Sequence, residues 1–224
     1  MPGKVLRDIA GRPMIDRVVE RARAIPGVDG VVVATSRSSG EAPLVEHLRD
    51  RGIPVHRGPE DDVLERYIGA ARTADAKVVV RITGDCPLLM PEVSGRVLNR
   101  YRSDGCDYAS NVLERTYPRG LDTEVFDVET LVEVGREATD SADREHVTLY
   151  MRRQPDRYRL CSVTAHEDRS GLRWTVDEEE DLELVRRVFE MLDDESAGYG
   201  DVLRLFDENP DLTGVNRSVR QKRL

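Results

Sequence analysis

Residues Arg81-Ile82-Thr83-Gly84-Asp85-Cys86-Pro87-Leu88 follow the apolar run Val78-Val79-Val80. A buried strand that ends on Thr-Gly-Asp and breaks at Pro87 delivers the Asp85 carboxylate to the carboxyl end of a sheet, the edge where open α/β sheets take their ligands. Joined by a second carboxylate, it can hold a magnesium ion against the phosphates of a nucleotide. Asp177 is the second candidate, because in Arg173-Trp174-Thr175-Val176-Asp177-Glu178-Glu179-Glu180-Asp181-Leu182 it also follows an apolar strand and precedes a helix. Both residues have plainer uses. Asp85 suits a turn before proline, and Asp177 suits a helix N-cap with Glu180 at the third helical position. Capping and metal binding are compatible, since one oxygen can cap while the other meets a cation.

The elements that must position these groups alternate between helix and strand. Behind Pro13, which suits a first helical position, Met14, Ile15, Val18, Val19, Ala22 and Ile25 repeat with helical spacing. Short strands are expected at 31–34 and 53–56, the latter near a sheet edge because of Pro54. Further strands are expected at 77–83, around 108–109, and at 118–126, 158–163 and 172–176. Helices fill 61–74, a stretch from about 91, 128–138, 143–153, a stretch from 178, and 201–208. This repetition predicts an α/β fold with a doubly wound, mostly parallel sheet. The chain reads as one domain, 1–224, in which the change of rhythm at 111–163 marks a small inserted lobe.

Composition narrows the function. With 224 residues, 39% of them hydrophobic, the chain can bury a core, and no apolar stretch approaches the roughly 20 residues of a membrane span. A net charge of -9 argues against nucleic acid or anionic lipid as a partner. Cys86, Cys106 and Cys161 form neither a CxxC pair nor a disulfide framework, so a reducing cytoplasm is expected. Lysine occurs only at Lys4, Lys77 and Lys222, which sets Lys4, beside Pro2-Gly3, apart from surface filler.

Several segments, in order, resemble the cytidylyltransferase family that activates acidic sugars, and its spore-coat-polysaccharide branch in particular. They are Pro2-Gly3-Lys4-Val5-Leu6, Gly11-Arg12-Pro13-Met14, and the stretches at 32–36, 57–64, 81–88, 117–126, 144–148 and 172–182. The tail, from Asn209-Pro210 to Asn216 and from Val219 to Lys222, also fits. The resemblance implies a Rossmann-like nucleotide-diphospho-sugar transferase fold and transfer of CMP from CTP to a sugar hydroxyl with release of pyrophosphate. It implies Mg2+ held by Asp85 and Asp177, phosphates met by Lys4 and by the backbone at Pro2, Gly3, Thr83 and Gly84, and a homodimer paired through a lobe like 111–163. Asp85, Asp177 and Lys4 are the expected catalytic groups.

Arg119, Asp122 and Glu124 are sugar-side candidates, with a solvated strand face or a subunit contact as the alternative; Arg119 could fork onto a sugar carboxylate. Arg57, Arg81 and the Asp61-Asp62 pair are candidates for shaping the substrate pocket, although the two aspartates also suit a helix first turn. Arg144-Glu145-His146 would serve the sugar site or a dimer contact. Family members open on a buried central strand and a loop that wraps CTP, whereas this chain starts inside the following motif, with Met1 where leucine usually stands. The expectation is a start assigned late or a truncated product, with unpaired neighbouring strand edges and doubtful activity of the chain as written. A nucleotidyl- or glycosyltransferase of the same fold using another nucleotide, and a non-catalytic relative, are the alternative functions.

Overall fold

Helices and strands alternate along the chain as the hydrophobic spacing predicts. The structure, a computed structural model, describes residues 1, 3–192 and 197–220; Pro2, Gln221 and Lys222 lie outside the described residues. A 3-10 turn at Lys4–Leu6 leads into the hairpin of β1 (Asp8–Ile9) and β2 (Arg12–Pro13), then α1 (Met14–Arg23). Next come β3 (Val33–Ser36), α2 (Ala42–Asp50), β4 (Val55–Gly58), α3 (Val63–Thr73) and β5 (Val78–Arg81). They are followed by α4 (Pro91–Asp104), β6 (Tyr108–Ser110), β7 (Glu124–Asp127) and α5 (Val128–Glu137). The chain continues through α6 (Ser141–Glu145), α7 (Leu149–Arg152), β8 (Leu160–Ser162), α8 (Glu179–Met191), α9 (Tyr199–Glu208) and α10 (Leu212–Val215).

The fold is α/β, but its sheet is mixed where the sequence predicts a mostly parallel one. β3 pairs with β4 in parallel, and β5, β7, β6 and β8 form a second sheet in that order. β6 and β8 are parallel, whereas β7 runs antiparallel to both β5 and β6. β7 belongs to the 111–163 segment and enters the sheet from a loop, so no crossover helix forces it parallel.

Three other expectations change. The stretch 172–176 is extended but forms no strand; its one ladder contact among the described residues is a bridge between Arg173 and Arg119. The helix expected over 143–153 divides into α6 and α7 at Val147, whose φ of 56° a β-branched residue cannot hold inside a helix. Cys106 and Cys161 are joined by a disulfide with Cα atoms 6.0 Å apart, Cys106 lying just before β6 and Cys161 on β8, the parallel neighbour of β6. Sequence spacing alone gave no sign of that register.

The largest buried cluster gathers Trp174, Val176, Leu88, Met90, Val185 and Phe206 from segments far apart in sequence. α1 closes one side of the fold with Met14, Ile15, Val18, Val19 and Ala22, the stripe its spacing predicts. Among the described residues no helix is long and apolar enough to cross a membrane.

Between β3 and β5, whose facing edges have no strand partner among the described residues, lies a cavity of about 1740 Å³. Val33 and Ala34 line one side, Val78 and Val80 the other, and Val19 and Tyr67 close it from α1 and α3. Val128 N donates to Lys77 O, so alternation turns the amides of Val79 and Arg81 toward β7 and those of Val78 and Val80 toward the cavity. Likewise Val33 N reaches Pro54 O, which leaves the amide of Ala34 on the cavity side. Hydrogen exchange should therefore be at least about ten-fold faster at Ala34, Val78 and Val80 than at Thr35, Val79 and Arg81. Equal protection on both edges would contradict an open slot.

Candidate active site

Two arms meet at the carboxyl edge of β5. The first leaves β5 through Thr83-Gly84-Asp85 and is anchored by the buried side chains of Cys86, Leu88 and Leu89. The second is the extended stretch 172–177, in which Trp174 and Val176 are fully buried while Arg173, Thr175 and Asp177 face the other way. Val176 N donates to Asp85 O at 2.9 Å, and Thr175 Oγ1 donates to the same carbonyl at 3.3 Å. These bonds set the two aspartates side by side across ninety-odd residues of chain. On its far side the second arm rests on the loop at 118–121, with Arg119 N donating to Leu172 O and Trp174 N to Arg119 O. Gly120 makes that approach feasible: its φ is 101°, and a Cβ there would lie 2.6 Å from Thr175 N.

Lys4 closes the site. Its Nζ donates to Asp85 Oδ2 at 2.9 Å, to Asp177 Oδ1 at 2.8 Å and to Val176 O at 2.9 Å. The other oxygen of each carboxylate is held from behind. Thr83 Oγ1 donates to Asp85 Oδ1 at 2.6 Å, and Arg173 Nη2 donates to Asp177 Oδ2 at 2.7 Å. Arg173 is gripped in turn by the fully buried Asp181, which also accepts from Asn216 and from the amides of Asp177 and Glu178. The cap of α8 is therefore Glu178 with Asp181 at the third position, one place later than the expected Asp177 with Glu180. That shift leaves the Asp177 side chain free for Lys4 and Arg173. Burial alone would lower the Lys4 pKa, but Asp85 and Asp177 outweigh it and raise it. Burial pushes Asp177 up, yet Lys4 and Arg173 hold its carboxyl below the usual range.

The donor set fits a hard divalent cation. Among the described residues no group of three or more metal-ligating side chains exists, but Mg2+ needs only one or two carboxylates when phosphate oxygens supply the rest. The Lys4 ammonium already acts as a stand-in cation, held by two carboxylates and a carbonyl.

The remaining expected residues divide between the site and the scaffold. Thr83 orients Asp85, while Gly3 and Gly84 line the mouth of the cavity beside Lys4. Arg119 is half-buried and makes no ion pair among the described residues. Asp122 precedes β7 and forms a two-pronged pair with Arg115, both contacts at 2.6 Å. Glu124 is buried rather than on a solvated face, ion-paired to Arg81 and accepting from Tyr108 and Thr148, while the half-buried Arg81 also lines the cavity. Arg57 spends its donors on the carbonyls of Ser36 and Ser38. Asp62 caps α3 and pairs with Arg144, while Asp61 is exposed and His146 borders the cavity. Arg173, Asp181 and Arg115 were missed as functional residues. The four-residue spacing of Arg173, Asp177 and Asp181 was the available signal for two of them.

Burial raises the Glu124 pKa, but Arg81, Thr148 and Tyr108 together bring it below its ordinary value. A carboxyl depressed in the folded state contributes stability above its unfolded value of about 4.3, and that contribution disappears as pH falls through the lower folded value. Glu124→Gln should therefore lose about 1–3 kcal/mol at pH 7, where it leaves the half-buried Arg81 without its carboxylate, and show a flatter stability profile below about pH 4. Urea unfolding at pH 7 and at steps from about pH 4 down to about pH 2 reads both effects. An unchanged acid slope would remove Glu124 from the account.

Comparison with known proteins gives the family and the fold. The family described as Cytidylyltransferase matches residues 1–204. The spore coat polysaccharide biosynthesis protein SpsF of Bacillus subtilis is 30% identical, over 94% of this chain and 90% of its own. The 3-deoxy-manno-octulosonate cytidylyltransferase of Maricaulis maris is 37% identical over 46% of this chain and 40% of its own. The solved structure of a cytidylyltransferase from Leptospira borgpetersenii superposes with a TM-score of 0.91 at 25% identity, over 99% of this chain and 93% of that one. With its paired aspartates at the ligand edge of the sheet, the chain belongs to the cytidylyltransferase family.

Proposed function

We propose that the protein transfers CMP from CTP to a hydroxyl of an acidic sugar, releasing pyrophosphate, in the synthesis of a surface polysaccharide. The observation that carries this reading is the convergence of Asp85 and Asp177 on one cation position, with Lys4 between them. In the reaction the sugar oxygen bonds to the α-phosphorus and the α–β anhydride bond breaks. Pyrophosphate leaves with the bonding electrons, and the hydroxyl proton passes to water. Mg2+ held by Asp85 and Asp177 would neutralise the charge that builds on the phosphates. Thr83 and Arg173 fix the carboxylates so that their remaining oxygens face one point, and Lys4 supplies a further cation for phosphate oxygens.

Arg119 supports the acidic sugar. Burial and the neighbouring Arg115 and Arg173 lower its pKa against the pull of Asp122, so an incoming carboxylate relieves a repulsion already present. A guanidinium fork suits that group. The relatives' names, a spore coat polysaccharide protein and an octulosonate cytidylyltransferase, agree with this class of product. Residues 111–163 supply Arg115, Arg119 and Asp122, and in this reading they form the sugar-side wall and the contact of a homodimer. The supply of CTP places the reaction in the cytoplasm, where burial of both Cys106 and Cys161 shields their bond from other thiols.

Pyrophosphate release with CTP, Mg2+ and a panel of sugar acids tests the reading. CTP-dependent release is expected with at least one acid, falling about 10²- to 10³-fold in Asp85→Asn and Asp177→Asn. Arg119→Ala should raise KM for the acid more than for its neutral analogue. Release with another nucleoside triphosphate but not with CTP would overturn the cytidylyl assignment.

A further inference from the structure

The cation position at the sheet edge is filled by the chain itself. All three donors of the Lys4 ammonium are spent on the oxygens of Asp85, Asp177 and Val176. We propose that Lys4 is a tethered placeholder for the metal, sitting between the aspartates until a metal–nucleotide complex arrives and then passing to the nucleotide's phosphates. The proposal rests on the reading of Asp85 and Asp177 as metal ligands and adds an order of events to it.

An ammonium and a divalent cation cannot share one position between the same two carboxylates, because both are compact and positively charged. One must leave, and the structure shows which positive group can. Arg173, the other cation on Asp177, is nearly buried and clamped by the fully buried Asp181. Lys4 lies on a short 3-10 turn with no buried residue, entered through Gly3 at a φ of 65°. Its side chain can swing out without opening the core.

Metal alone offers Lys4 no new anion, so displacement breaks its two ion pairs without replacing them. A nucleoside triphosphate brings phosphate oxygens that accept Lys4 while the metal takes its place. Metal binding by the free protein is therefore weak, and metal and nucleotide bind cooperatively.

Mn2+ titration followed by electron paramagnetic resonance, on nucleotide-free protein, tests this without any turnover. Lys4→Gln should bind Mn2+ at least ten-fold more tightly than wild type, and adding Asp85→Asn to that variant should abolish the gain. Equal or weaker Mn2+ binding by Lys4→Gln would overturn the placeholder. If wild type still bound Mn2+ with CTP in an Asp85-dependent way, the metal-ligand reading would survive that failure; Mn2+ binding with CTP that is indifferent to Asp85 would sink both.

Wild-type protein gives a second readout that no folding defect can confuse. With lysine only at Lys4, Lys77 and Lys222, labelling with ¹³Cε-lysine yields three resolvable NMR signals. The Lys4 signal should stay in place with millimolar Mg2+ alone and move when CTP and Mg2+ are added together. A shift with Mg2+ alone, or none with both, would contradict the exchange.

Discussion

Two carboxylates at one sheet edge repel each other, and this site depends on neutralising that repulsion. Asp85 and Asp177 both touch the Lys4 nitrogen, at 2.9 and 2.8 Å, so their oxygens lie within about 6 Å of each other. At an effective dielectric of about 20, such a pair repels by roughly 3 kcal/mol before solvent screening reduces it. Lys4 and Arg173 offset that cost from opposite sides. The fold's contribution is to make the approach unavoidable: Trp174 and Val176 are buried to the last atom, and the Val176 amide is tied to the Asp85 carbonyl. Core packing holds the pair together, and local cations make that tolerable. A functional site that stores electrostatic tension in this way is poised for a ligand of higher positive charge.

A second constraint lies in the sheet. β7 separates β5 from β6, and Glu124 at its start meets Arg81 from β5, Tyr108 from β6 and Thr148 beside α7. This buried knot joins the 111–163 segment to the strand that leads to Asp85. Glu124 is thus part of the scaffold behind the site, and Asp122, two residues earlier, faces Arg115. Two carboxylates two residues apart thus differ because Asp122 lies on the loop before β7 and pairs with Arg115, whereas Glu124 enters the strand and is buried.

Much of this was legible in the sequence. The helical stripe from Met14 to Ala22 and the apolar run before Thr83 are local patterns, and local patterns survive folding. Asp85 and Asp177 could be placed on one edge because both follow extended stretches with buried apolar residues. The family resemblance then raised them above turn and cap residues. What could not be read depended on register. The antiparallel course of β7, the Cys106–Cys161 bond and the burial of Glu124 all follow from which strand lies beside which, and no spacing within a strand encodes its neighbour. The one-residue shift of the α8 cap from Asp177 to Glu178 belongs to the same class, because it depends on Asp181 being turned inward to Arg173 and Asn216.

The paired aspartates are the centre of the account, and anomalous diffraction from crystals grown with Mn2+ and CTP addresses them most directly. The account predicts a manganese peak within ligand reach of Asp85 and Asp177, with Lys4 Nζ moved from the carboxylates toward phosphate oxygens. A peak held by other residues, with Lys4 still seated between the two aspartates, would contradict it.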